Sequence, residues 1–118
     1  MTTLERSTTP TPLVEIVVDE DLSREAATRL HMLLTDALDM RPQQLVVDLT
    51  ACRYADGLAV DVLLAAHRRA WATGSRLTLR APSPRVLRLL QLTRTDRVFN
   101  VTAVPPEGHG TVERADRR

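Results

Sequence analysis

The chain reads as one α/β domain, an open mixed sheet with its elements in the order β-α-β-α-β-α-β, and three observations predict it. Short strand-like segments, apolar or alternating, recur at residues 13–18, 44–49, 76–80 and 98–101, and the stretch between each pair has helical periodicity. Serines and prolines punctuate these stretches where helix starts and stops belong. At 118 residues, 43% of them hydrophobic, the chain is sized for one real core and not for two.

Residues 1–12 are rich in Thr, Ser and Pro and lack a period, which predicts a flexible arm or a poorly formed first strand. The run at 13–18 is the first strong strand, with Glu15 its only polar member. Ser23 is a fitting N-cap for a helix to about Leu38, although the acid of a full capping box is absent at Ala26. Ala26, Ala27, Leu30, Leu33, Leu34, Ala37 and Leu38 form its core-facing stripe. Arg41 and Pro42 end that region, and the run at 44–49 is apolar on both faces except for Asp48, as a central, doubly covered strand requires.

A second helix begins near Asp56 or Gly57 and stops at Gly74, a C′ glycine. Leu77 and Leu79 alternate with polar neighbours in the next strand. Ser83 then caps a helix whose first position is Pro84, where a missing N–H costs nothing, and Val86, Leu87, Leu89, Leu90 and Leu92 supply its buried side. The expected domain spans residues 13–104, followed by a disordered tail at 105–118 with two prolines, two glycines and almost nothing apolar.

Aromatic residues are scarce, Tyr54, Trp71 and Phe99 being all of them, so Leu, Val and Ala must build the core. The lone Cys52 forbids an intramolecular disulfide, and no apolar run approaches the roughly 18–20 residues of a membrane span. The N-terminus has no signal-peptide core, so a cytoplasmic protein without membrane insertion is expected. Charge is unevenly placed. Residues 1–60 carry ten acids and five arginines, and residues 61–118 carry five acids and eleven arginines, a polarity suited to steering a protein partner. Arg80, Arg85, Arg88, Arg94 and Arg97 could also meet phosphates, but without surface aromatics for base stacking or a reading helix, direct nucleic-acid binding is not expected.

The stretch with the sharpest pattern is Leu45-Val46-Val47-Asp48-Leu49-Thr50, the loop Ala51-Cys52-Arg53-Tyr54-Ala55-Asp56-Gly57-Leu58, and the small, apolar helix after it. It resembles the central strand, loop and helix of STAS domains, the module of anti-sigma factor antagonists, whose loop reads Asp-Ser-Ser-Gly or nearly so. Further similarity lies in Leu63-Leu64-Ala65-Ala66, in Gly74 with Arg76-Leu77-Thr78-Leu79, in Ser83-Pro84 through Leu92-Thr93, and in Asp96-Arg97-Val98-Phe99. Aligned without gaps, Asp56 takes the family's loop Asp, Gly57 and Leu58 take the two hydroxyl positions, and Ala59 takes the Gly. The second hydroxyl is the family's phosphate acceptor, so the resemblance implies a member that has lost its phosphoacceptor at Gly57 and Leu58. Other departures are Glu20-Asp21-Leu22-Ser23 in place of Gly-x-Leu-Asp, Arg94 in place of a glycine after the third helix, and Asp61 in place of a glycine in the second.

The resemblance implies a non-enzymatic protein that captures an anti-sigma factor of the serine-kinase type, with Asp56, Gly57, Leu58, Asp61 and Ala65 as the partner-binding strip. A homodimer is compatible with it. An alternative from the same family is the cytosolic STAS subunit of a membrane lipid-transport ABC complex, whose loop often reads Asp-Thr-Ala-Gly-Leu-Ala and which Gly57-Leu58-Ala59 echoes across a gap. Each residue also has a plainer reading: Asp56 as a helix cap, Leu58 as a buried first-turn leucine, Asp61 and Arg68 as a solvated face suited to the helix dipole. Cys52 and Tyr54 are expected to pack in the core. His31, His67 and His109 are too scattered for a metal site, Asp56 and Asp61 do not face each other as a catalytic pair, and no phosphate loop or nucleophile elbow occurs, so no cofactor, metal or catalytic residue is expected.

Overall fold

The computed structural model describes residues 13–103, so the expectations for the N-terminal arm and the C-terminal tail lie outside the described residues. Four strands, β1 (Leu13–Val17), β2 (Gln44–Asp48), β3 (Arg76–Arg80) and β4 (Asn100–Thr102), alternate with α1 (Arg24–Asp39), α2 (Gly57–Ala72) and α3 (Pro84–Leu92). The sheet runs β1-β2-β3-β4, and every pairing among these strands is parallel. A mixed sheet was expected. Within the described residues each strand is joined to the next by a helical crossover, which returns the chain to the same end of the sheet and makes the neighbours parallel.

Strands that advance in one direction through right-handed crossovers place all their helices on one face. The core follows that rule. Ile16, Leu45, Val47, Leu77 and Leu79 point to the helical face and are buried with Ala26, Leu30, Leu34, Leu63, Ala66, Val86 and Leu90. Two residues expected in the stripes lie outside them: Leu33 is 52% exposed and Leu92 is 71% exposed. Position 33 falls on the flank of the α1 stripe centred on Leu30, Leu34 and Ala37. Leu92 is two positions beyond buried Leu90, about 200° around the helix, and so faces away.

The opposite sheet face carries Glu15, Val46, Thr78 and Asn100 in one cross-strand row and Val17, Asp48, Arg80 and Thr102 in the next. No described helix covers it, which corrects the doubly covered β2 expected from the apolar run. Val46 is nonetheless buried, flanked on adjacent strands by Glu15 and Thr78. The face is held by polar contacts. Arg80 reaches across β2 to pair with both Asp48 (3.0 Å) and Glu15, and the Asn100 amide donates to Thr78 Oγ1 (2.8 Å). Burial pulls the Arg80 guanidinium below its ordinary pKa, and the two carboxylates supply its countercharge.

Helix ends follow the local signals closely. The Ala26 N–H donates to Ser23 Oγ (3.2 Å), and the Val86 N–H donates to Ser83 Oγ (3.1 Å) ahead of Pro84. At the end of α2 the Ser75 N–H reaches the Ala70 carbonyl (2.8 Å) and the Gly74 N–H reaches that of Trp71 (3.3 Å), with Gly74 left-handed at φ 84°. This is a Schellman ending. The end of α3 repeats it, Thr95 N–H to Leu90 O (2.8 Å) and Arg94 N–H to Gln91 O (3.1 Å), with Arg94 at φ 61°. The family's glycine position after the third helix therefore keeps its backbone shape with a side chain that resists it.

Three outcomes are expected in urea unfolding followed by circular dichroism. Arg94→Gly should raise stability by about 0.5–1 kcal/mol by relieving the left-handed penalty, and Gly74→Ala should lower it by about 1 kcal/mol. Arg80→Leu, which strands two carboxylates on the sheet, should cost about 1–3 kcal/mol.

Candidate partner-binding site

The loop between β2 and α2 is built from its own backbone and from two other segments. Asp48 Oδ1 accepts from the N–H and the hydroxyl of Thr50 (2.9 and 2.6 Å), which turns the chain as it leaves the sheet. Cys52 N–H closes the turn on Leu49 O (3.0 Å), and its thiol donates to Tyr54 O (3.2 Å). Leu22 and Ala55 form a parallel bridge, with Leu22 N–H to Tyr54 O and Asp56 N–H to Leu22 O, both 2.8 Å. Asp21 Oδ1 accepts from Arg53 N–H (2.9 Å). Glu20, Asp21, Leu22 and Ser23 all keep negative φ, so this segment adopts no conformation that calls for a glycine.

From the other side, Ser83 Oγ donates to Arg53 O (3.3 Å), and the Arg85 guanidinium sits over the Tyr54 ring at 5.6 Å. Such a cation–π contact contributes about 0.5–1 kcal/mol at an exposed position. Tyr54 is 43% exposed and not in the core, because Ala55 turns inward to meet Leu22 and alternation turns its neighbour out. Cys52 is fully buried as expected, and burial pushes its thiol above the usual range, which keeps it from acting as a nucleophile. A seryl hydroxyl lies against the loop, that of Ser83, brought there by the fold from thirty residues away. It is engaged as the cap of α3.

The sequence-predicted strip comes together on α2. Asp56 is the N-cap, its Oδ1 accepting from the Leu58 N–H (2.8 Å), while the Ala59 N–H takes the Asp56 carbonyl (2.9 Å). Leu58, at 37% exposed, is not a core residue, and Gly57, Asp61 and Ala65 are exposed as well. Positions 58, 61 and 65 follow one side of the helix by the i, i+3, i+4 rule. Ala59, Val60, Leu63 and Ala66 hold the other side in the core. A Cβ placed on Gly57 meets no atom within 4 Å, so the first position of α2 would accept a side chain.

Charges of both signs meet at this end of the molecule. Asp19, Glu20, Asp21, Asp56 and Asp61 lie at or just beyond the carboxyl ends of β1 and β2. Arg29 pairs with Glu20 (2.7 Å) through a hydrogen-bonded contact that raises the guanidinium pKa. Among the described residues no group of three His, Cys, Asp or Glu side chains is arranged to hold a metal ion, and no helix is long and apolar enough to cross a membrane. The geometry offers an exposed edge with one apolar side chain, Leu58, and two acidic ones, Asp56 and Asp61.

Residues 9–104 match the family model described as Mlab, STAS domain. The fold is also that of a Thermotoga maritima protein, TM1081, described as a candidate anti-sigma factor antagonist. Its crystal structure aligns with a TM-score of 0.69 at 19% identity, covering 76% of this chain and 78% of that one. The NMR structure of TM1081 gives 0.69 at 20% identity, with 78% and 74% covered. No curated protein gives a significant match.

Exposure of Leu58 makes a direct stability prediction. Leu58→Asp and Asp61→Arg should each fold normally and shift stability by no more than about 0.5–1 kcal/mol, as surface substitutions do. Thermal melts by circular dichroism check this, and a steep loss in Leu58→Asp would return Leu58 to the core.

Proposed function

The chain belongs to the STAS domain family, and from that premise we propose that it is a non-catalytic anti-sigma factor antagonist whose partner, an anti-sigma factor of the serine-kinase type, docks on Asp56, Gly57, Leu58, Asp61 and Ala65. The observation that carries this reading is the exposed Leu58 at the second position of α2, standing beside exposed Asp61 and Ala65 at the mouth of a loop held from both flanks. An apolar side chain kept in solvent on a rigid edge gains most when a partner buries it.

The switch differs from the family's. A phosphate on the second loop hydroxyl adds about −1.5 to −2 charge at a helix N-terminus, which the helix tolerates and a docked partner does not. Gly57 and Leu58 offer no oxygen for it, and the nearby Ser83 hydroxyl is committed to a cap. The protein then binds its partner without being released by phosphorylation. In a complex of this kind, control passes to the amount of protein present.

A second reading, the cytosolic STAS subunit of a membrane lipid-transport complex, draws on the family model, whose description names Mlab and not an antagonist. Gly57-Leu58-Ala59 at the head of α2 is its echo in the chain. Affinity capture from the native cell separates the two, one predicting a kinase-fold anti-sigma factor and the other a transport ATPase.

Incubation with a serine-kinase anti-sigma factor and ATP, followed by peptide mass spectrometry, tests the lost switch. The wild-type loop should remain unmodified, whereas Leu58→Ser should accept a phosphate at position 58 and then release the partner. A phosphate mapped to residues 51–58 of the wild type would overturn the reading. Leu58→Asp should lower partner affinity at least about tenfold, equivalent to 1.4 kcal/mol, while the domain stays folded.

A further inference from the structure

At the end of the molecule away from the loop, a cleft of about 260 Å3 opens between the last turns of α2, the start of β3 and the segment leading into β4. Its walls include three of the aromatic rings present in the described residues: Trp71, His67 and Phe99. His67 stacks edge-on to Phe99 at 5.9 Å between centroids and lies 6.4 Å from Trp71. Trp71, the only tryptophan of the chain, is 76% exposed, an unusual place for so large an apolar ring. Val98, also exposed, adds an apolar rim.

The polar character of the cleft is one-sided. Arg76 and Arg97 line it, no carboxylate does, and neither arginine has an ion-pair partner among the described residues. His67 Nδ1 is shut off from solvent and has no hydrogen-bond partner there. Ring faces and guanidinium groups together recognise one chemistry, since guanidinium forks match carboxylate and phosphate oxygens and aromatic walls favour a flat ring.

We propose that this cleft is a binding site for a small planar aromatic anion, its ring against Trp71, His67 and Phe99 and its charge between Arg76 and Arg97. The volume lies just below the range of sites for drug-sized ligands and holds one or two rings. The site is independent of the partner-binding strip, which sits on the opposite end of α2.

Trp71 is its own reporter. Titrating the full chain with benzoate and with phenyl phosphate, at constant ionic strength, should give a saturable change in tryptophan fluorescence, and the tighter of the two identifies the anionic group. Benzamide, the neutral ring, and inorganic phosphate, the anion without a ring, should each bind at least tenfold more weakly. Arg97→Gln and Arg76→Gln, both at exposed positions, should weaken benzoate or phenyl phosphate at least fivefold, while circular dichroism stays unchanged. Absence of saturation with both aromatic anions, equal binding of benzamide or inorganic phosphate, or unchanged affinity in both arginine variants would overturn the proposal.

Discussion

Leu22 N–H to Tyr54 O and Asp56 N–H to Leu22 O are two short backbone hydrogen bonds, and the position of the proposed partner-binding edge depends on them. They join the chain where it leaves β1 to the chain just before α2, extending the parallel order of β1 and β2 by one isolated bridge past a non-paired turn. Because Asp56 is one partner, the bridge also sets where α2 begins, and so which residues of α2 face outward. Leu22 is buried at the same point, so backbone pairing and apolar burial act on one residue. A loop so fixed presents Leu58 without the ordering cost that a mobile loop would incur on binding.

Parallel topology also sorts the charge. The sequence shows only that acids gather in the first half and arginines in the second. In the fold, Asp19, Glu20, Asp21 and Asp56 lie at the carboxyl ends of the strands together with Arg29, Arg53 and Arg85, whereas Arg41, Arg76, Arg94 and Arg97 lie at the amino ends. An asymmetry along the chain becomes an asymmetry along the strand axis. The amino ends of the strands are therefore the more positive, a difference of the kind that can steer association.

Most of the architecture was legible because its signals are local. Ser23, Ser83 with Pro84, Asp56 and Gly74 each act within four residues of themselves, and the structure uses all of them as the sequence implies. What escaped depends on distance in the chain. Arg80 with Glu15 and Asp48, Asp21 with Arg53, and Ser83 against the loop join segments about thirty residues or more apart, and no period or motif announces them. The left-handed Arg41 and Arg94 were missed because only glycine advertises that conformation. At the candidate site the helix start was readable, but the exposure of Leu58 was not, since a first-turn leucine is buried or bare according to what packs above it.

The strand order β1-β2-β3-β4 has a consequence for how the domain assembles. Among the described residues every strand pairs only with its predecessor and successor, so no pairing there must wait for a distant part of the chain to arrive. Formation can start at any one crossover unit and spread outward to its neighbours, as in repeat proteins, and the loop-closure entropy of each step is that of a single unit. The described strands need little topological search, although the one core they share closes only when all the units are present.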